Sequence, residues 1–320
     1  MKTETLTKPK TTVMEKNKIN IKSDKFIDVV VKNEPSLKTN KSLFDKWFSA
    51  DGGMVLGSSI FVSGTSGAGK TTLMINIMNW AKNIVSSMYS REMEGFNVKK
   101  QTIDVLKHGN AYIADRNACK NFNEYLDEIN ILKPKIVIID SLQVIAKEDY
   151  PDMSEADACY LIIDSLRKYV SKYNAILFLI GHNTKDGNFA GVNTIMQMMD
   201  AHMELIHNKK ENSRTISWGQ KNRKGPMGNL YYVIKKDEID FFTKEEWNII
   251  KKTDRNFVSV VNDTINSYIN SVILEKEQFK QFKDECNSGI LNLFNSNKND
   301  LDFTIESIKF VNKLAEKYKV

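Results

Sequence analysis

The sequence predicts an α/β fold in which a mostly parallel sheet is flanked by helices, followed by a C-terminal helical extension. Three observations predict it. Short, near-continuously apolar β-rich runs alternate with helical stretches from residue 58 to about residue 236. A glycine-rich turn, GTSGAGKT, directly follows the first of those runs. Beyond about residue 240 apolar residues fall at helical spacing instead.

Residues 1–25, MKTETLTKPKTTVMEKNKINIKSDK, are rich in lysine and lack the apolar stretch of a signal peptide, which predicts a disordered basic tail. FIDVVV (26–31) is a short apolar run, and KSLFDKWFSADGG reads as an amphipathic helix stopped by Gly52 and Gly53. The β-rich runs are SSIFVS (58–63), IVSSMYS (84–90), NAYIAD (110–115), KIVIID (135–140), AILFLIG (175–181), HMELIH (202–207), RTISWG (214–219) and NLYYVI (229–234). The last three follow one another without helices, so an antiparallel extension of the sheet is expected there. Thr243 with Glu246 has the spacing of a capping box. Val261, Ile265, Tyr268, Ile269, Val272 and Ile273, then Ile308, Val311 and Leu314, keep helical spacing. The division expected is tail 1–25, α/β domain 26–240 and helical extension 241–320.

The chain of 320 residues carries 46 basic and 40 acidic side chains, a formal charge of +6 with much of the excess in the tail. That balance suits a polyanionic partner without requiring one. No apolar run approaches the ~20 residues that span a bilayer, so a soluble, cytoplasmic protein without membrane contact is expected. Cys119, Cys159 and Cys286 form no CxxC pair, which argues against a disulfide framework and a cysteine zinc site.

Gly64, Thr65, Ser66, Gly67, Ala68, Gly69, Lys70 and Thr71 match GxxxxGK[ST] at a strand-to-helix junction, with Thr72 next in line. Glycines let backbone N–H groups curl around phosphates, Lys70 reaches the β and γ oxygens, and Thr71 offers its hydroxyl to Mg²⁺. This is a P-loop, with ATP and Mg²⁺ as its ligands. Its usual counterpart is a carboxylate on a neighbouring strand, and Asp140, ending KIVIID, is placed to hold the metal's water shell. Glu92, just past IVSSMYS, is either the carboxylate that polarises the attacking water or a surface glutamate.

GHNTKDGNFAGVNTIMQMMD (181–200) followed by QKNRKG resembles the RadA/Sms branch of the RecA-like ATPases. LFDKWFSADGGMVLGSSIFVSG resembles that branch's approach to its P-loop, and IIDSLQ its Walker B strand, so the likeness covers about residues 38–235. KNRKGPMG and YSREM are closer to DnaB-type helicases. The chain departs from RadA/Sms proteins in lacking a four-cysteine zinc module and a Lon-like domain. The resemblance implies a RecA-like core, ATP hydrolysis at subunit boundaries in a homo-oligomeric ring, such as a hexamer, or a filament, and action on single-stranded DNA in recombination, repair or helicase-type movement. It implies that Lys221 and Arg223, two residues apart, reach the nucleotide of a neighbouring chain; direct contact with nucleic acid is the alternative for this pair. It also implies that His182 senses the γ-phosphate. Lys185 and Phe189, a cation and an aromatic in a polar loop, suit a single strand's phosphate and base. Two other classes stay open: a KaiC-like signalling or assembly ATPase without nucleic acid, and a scaffold that binds ATP without turning it over.

Overall fold

A computed structural model describes residues 34–92, 106, 108–181, 192–209, 213–235, 238–251, most of 281–293 and 300–318. The expectations for the tail, for FIDVVV and for Val261 to Ile273 lie outside the described residues.

β1 (Ser36–Leu37) and β2 (Met54–Val55) form a small antiparallel pair around the single-turn helix α1 (Ser42–Asp45). The expected amphipathic helix is thus cut short. The Trp47 and Phe48 amides bond back only three residues, to Phe44 and Asp45, and Gly53 returns to the Asp45 carbonyl at 2.8 Å. Phe44 and Phe48 are buried, so the apolar face is used although the helix stops.

The main elements follow in order: β3 (Ser59–Gly64), α2 (Lys70–Trp80), β4 (Ser86–Ser90), β5 (Ala111–Ala114), α3 (Phe122–Leu132), β6 (Ile136–Asp140), α4 (Leu142–Asp149), α5 (Glu155–Tyr173), β7 (Ile176–Ile180), α6 (Val192–Met198), β8 (Ala201–Asn208), β9 (Ser213–Ser217), β10 (Asn229–Ile234), β11 (Ile239–Phe242), α7 (Lys244–Lys251) and α8 (Asp300–Tyr318). The helix ends carry local signals. Asn121 accepts from the Glu124 amide and Ser154 from the Asp157 amide, while Lys133 and Asn174 close α3 and α5 in the left-handed conformation.

The strands order as β11-β10-β9-β8-β3-β7-β6-β4-β5. From β8 through β5 neighbours are parallel, and β8, β9, β10 and β11 are antiparallel. Alternate side chains enter two cores. Ile60, Val62, Ile138 and Phe178 meet Leu73, Met74 and Ile77 of α2 on one face. Phe61, Val137, Ile139 and Leu179 meet α3, α4 and α5 on the other. β7, and β6 up to its last residue Asp140, are apolar because both of their faces are covered.

β11 was not expected. It pairs with β10 and carries the sheet to Phe242, across the position where the sequence suggests that helices begin. The capping box then forms: the Thr243 amide donates to Glu246 Oε2 at 2.7 Å and the Glu246 amide to Thr243 Oγ1 at 3.2 Å. Trp247 of α7 stacks on Tyr231 at 5.5 Å and packs with Phe242, Ile305 and Ile308, which seats α7 and α8 on the β10–β11 end of the sheet. The described residues between 281 and 293 are helical and bury Phe282, Cys286 and Ile290 against Phe303, Val311 and Leu314 of α8. All three cysteines are buried and unbridged, and burial pushes their thiols up to about 12.

Arg91 ties the end of β4 to α4. Its guanidinium donates to Asp149 Oδ1 at 2.9 Å and to the Lys120 carbonyl at 2.6 Å, and Tyr89 donates to Asp149 Oδ2 at 2.9 Å. Both side chains of the ion pair are almost fully buried, at 4% and 3% exposure. Asp149→Ala strands the guanidinium without its counter-charge, so a loss of about 3–5 kcal/mol is expected, read as the drop in the urea midpoint.

Candidate nucleotide-binding site

The site stands at the C-terminal ends of β3, β6 and β4, where parallel sheets place their ligands. β3 is buried along its whole length and ends in Gly64, whose added Cβ would lie 2.0 Å from the Leu205 carbonyl oxygen of β8. Only glycine fits there, because the two backbones approach too closely for any side chain. The turn that follows leads into α2 through Gly69, at φ 96° and without a side-chain cap. The first-turn N–H groups of α2 therefore face the loop as donors for an anion.

Lys70 opens the helix, and its ammonium donates to the Gly64 carbonyl at 2.9 Å and to the Thr65 carbonyl at 3.4 Å. Burial pushes this lysine below its ordinary range, offset in part by the carboxylates of Asp140 and Glu92. Thr71 Oγ1 donates to Asp140 Oδ2 at 2.8 Å. A hydroxyl and a carboxylate meeting in this way are the hard oxygen donors that Mg²⁺ takes, with the remaining positions left to water and phosphate. Among the described residues no group of three or more His, Cys, Asp or Glu could hold a metal by itself.

Asp140 does not lie on the strand beside the P-loop strand, as the sequence reading had it. β7 runs between β3 and β6. Thr71 bridges the gap from the helix side. β7 ends next to Gly181, where an added Cβ would meet the Phe61 ring at 2.6 Å, so no side chain at that position stands between the P-loop and Asp140.

Glu92 joins this group. Ser90 is paired with Asp140 across β4 and β6, and the Arg91 amide donates to the Asp140 carbonyl at 2.9 Å, so the next residue emerges beside Asp140. The Ser141 hydroxyl hydrogen-bonds to Glu92 Oε1. Ser141 precedes α4 but makes no side-chain cap. Its hydroxyl is turned to the carboxylate instead.

Two bracing contacts were not read from the sequence. Tyr232 of β10, buried, donates to the Ala68 carbonyl at 2.5 Å, and Ile234 lies against Gly69, 2.4 Å from where a Cβ would stand. The alternation in NLYYVI marks a strand but nothing in it singles out the tyrosine, since the P-loop lies more than 160 residues away in sequence.

Lys221 and Arg223 lie elsewhere. They flank Asn222, which bridges Ala201, and Ala201 is level with Ile60 at the start of β3, four residues from Gly64. At ~3.3 Å per residue the bridge is about 13 Å below the P-loop along the strand. Lys221 donates to the Met196 and Gln197 carbonyls at 2.7 and 3.1 Å, at the C-terminal end of α6, and Arg223 lies 3.5 Å from Asp200. Asp200 is an acidic neighbour that local sequence does not reveal. The pair thus addresses one junction, α6 to β8, of its own chain. His182, Lys185 and Phe189 lie outside the described residues.

No family model matches the chain. It is similar to the DNA repair protein RadA of Rickettsia felis (30% identity over 220 residues, 62% of this chain and 47% of that protein), of Haemophilus influenzae (28% over 182 residues, 56% and 39%) and of Escherichia coli (24% over 217 residues, 65% and 45%). The chain spans less than half the length of these relatives. In fold it is similar to the crystal structure of a KaiC-like protein from Pyrococcus horikoshii, at TM-score 0.53 and 16% identity, covering 66% of this chain and all of that one. No helix among the described residues is long and apolar enough to cross a membrane. With its P-loop at the end of a central parallel strand and its carboxylates gathered opposite, the chain has the RecA-like core of a P-loop ATPase and is similar in sequence to the RadA proteins.

Proposed function

We propose that the chain hydrolyses ATP with Mg²⁺ and uses the cycle to act on single-stranded DNA in recombination or repair, as one subunit of a ring or filament whose active sites lie between subunits. The observation that carries this reading is the split of the catalytic groups. Lys70, Thr71, Asp140 and Glu92 gather at one end of the sheet, whereas Lys221 and Arg223 sit about 13 Å away along β3, too far to serve their own P-loop. A neighbouring chain whose lower edge faces this P-loop supplies the missing cations. The name of the RadA relatives, DNA repair protein, supports nucleic acid as the partner.

In this site the P-loop amides and the α2 N-terminus bind the phosphates, and Lys70 exchanges its Gly64 and Thr65 carbonyls for phosphate oxygens. Thr71 and Asp140 would hold Mg²⁺, which would supply positive charge to the phosphates during hydrolysis. Glu92 orients the attacking water and accepts its proton, with the Ser141 hydroxyl fixing the carboxylate. The neighbour's Lys221 and Arg223 stabilise the charge that develops as the γ-phosphoryl group departs. His182 reports the state of the γ-phosphate to the following loop, in which Lys185 and Phe189 grip phosphate and base.

Glu92→Gln keeps the binding groups and removes the base, so nucleotide affinity is expected to hold within about twofold while turnover falls by roughly 10²–10⁴. Equilibrium binding of a fluorescent nucleotide beside single-turnover hydrolysis checks it. The function as a whole is tested by adding single-stranded DNA to the ATPase assay. Faster turnover, with an effect that fades as salt rises and as Lys185 and Phe189 are changed to alanine, is the expected result. Turnover indifferent to DNA at low salt would replace this reading with a signalling or assembly ATPase, and ATP binding without turnover would replace it with a scaffold.

A further inference from the structure

Between the P-loop strand and the cation segment stands a small buried polar group. His202, on β8, is level with Phe61 and points to the same face as Phe61 and Ser63. It is 5% exposed, its Nε2 lies 2.7 Å from Ser63 Oγ, its ring also hydrogen-bonds the Gln220 side chain, and it stacks on Phe61 at 5.5 Å. Its backbone amide donates to the Lys221 carbonyl at 2.8 Å. A neutral imidazole holds both side-chain bonds at once, accepting at one nitrogen and donating at the other. Burial keeps it neutral by pushing its pKa down to about 4.

Each end of this chain of contacts reaches a working part. Ser63 precedes Gly64, whose carbonyl now holds the Lys70 ammonium and loses it when Lys70 turns to phosphate. Gln220 precedes Lys221, and Arg223 is two residues further. β3 and β8 are pressed together at Gly64 and Leu205, so displacement at the root of the P-loop is passed across the sheet rather than absorbed.

We propose that Ser63, His202 and Gln220 form a positioning bridge through which nucleotide at one chain's P-loop sets the placement of the Lys221 and Arg223 that the same chain offers to its neighbour. The proposal rests on the between-subunit site described above and adds direction to it: occupancy of one site prepares the cations of the next. His202→Phe leaves the buried Ser63 hydroxyl unpaired, a structural cost that lowers stability but does not depend on Arg223.

His202→Phe keeps the ring over Phe61 and removes both side-chain bonds; Ser63→Ala removes one of them with less disturbance, in case the larger change impairs folding. Three measurements are expected to agree. Nucleotide affinity stays within about twofold. The maximal ATPase rate of the assembled protein falls roughly 10- to 100-fold, the scale of a misplaced catalytic group, at little changed KM. In an Arg223→Ala background the same substitutions cause no further fall, since they act through the cation already removed. Full turnover in both variants, or an equal further loss when Arg223 is absent, overturns the bridge. Amide hydrogen exchange across residues 219–224 separates this failure from that of the underlying reading. ADP-dependent protection there that disappears in His202→Phe supports the bridge whatever Arg223→Ala does to turnover, whereas protection equal in both proteins, or absent from the unsubstituted one, overturns it. Arg223→Ala that leaves turnover untouched removes the between-subunit site itself.

Discussion

Lys70→Ala is expected to abolish nucleotide binding and bring hydrolysis to background while leaving the fold intact. The ammonium is held by two carbonyls of its own loop and by the field of Asp140 and Glu92, and burial works against its charge. Removing it takes a charged group out of a site that shields it from water, so the nucleotide-free protein loses little stability. The loss appears only with ligand. Nucleotide at a hundred times its Kd stabilises by about 2.7 kcal/mol, which for a chain of this size raises Tm by roughly 4 °C. That rise is expected in the unsubstituted protein and absent from Lys70→Ala, as thermal unfolding with and without ATP and Mg²⁺ reads directly. An ATP-dependent rise preserved in the variant contradicts the assignment of the P-loop.

Arg223→Ala is expected to lower the maximal rate of the assembled protein by about 10³-fold or more, the range known for arginine fingers given in trans. Stability is unaffected, because the ion pair with Asp200 is long, at 3.5 Å, and the guanidinium is more than half exposed. Nucleotide affinity is expected to be largely kept, since the substitution leaves the P-loop, Gly64 to Thr71, untouched. Lys221→Ala does more to its own subunit: it frees the Met196 and Gln197 carbonyls at the end of α6. Steady-state turnover set beside nucleotide affinity separates the two substitutions. An Arg223→Ala protein with normal turnover contradicts the role in hydrolysis.

The parts of this molecule that were legible in the sequence are those whose chemistry is local. GTSGAGKT shows the P-loop because a strand, a glycine turn and a helix start must be consecutive to cradle phosphate. The strands from SSIFVS to NLYYVI are visible because burial on both faces gives near-continuous apolar runs at the centre of the sheet and half-burial gives alternation in NLYYVI, and their bounds agree with the structure to within about two residues. What was misread depends on which strands become neighbours. Asp140 is legible as a carboxylate at a strand end, but the insertion of β7 between it and the P-loop strand is a property of the sheet order. Tyr232 and His202 act through partners more than 130 residues away in sequence, and no spacing rule announces them. Asp200 escaped for the same reason, being 23 residues from Arg223. β11 is short, mixed in composition and adjacent to a helix cap, so IDFF was absorbed into the helical region. α1 stopped early because the chain folds back at Gly52 and Gly53, where a turn competes with an otherwise favourable apolar pattern.

Active sites shared between chains are tested most directly by mixing two inactive proteins. A Lys70→Ala chain has no working P-loop but keeps Lys221 and Arg223; an Arg223→Ala chain keeps Gly64 to Thr71, Glu92 and Asp140 but lacks the arginine. Co-assembled from a denatured or dissociated mixture, with mixing verified by distinguishable tags, some boundaries join the intact P-loop of one chain to the intact cations of the other. ATPase activity is then predicted to rise well above that of either protein alone and to be greatest near equal proportions. Activity that stays at the level of the separate variants in assemblies shown to contain both chains would contradict the shared site.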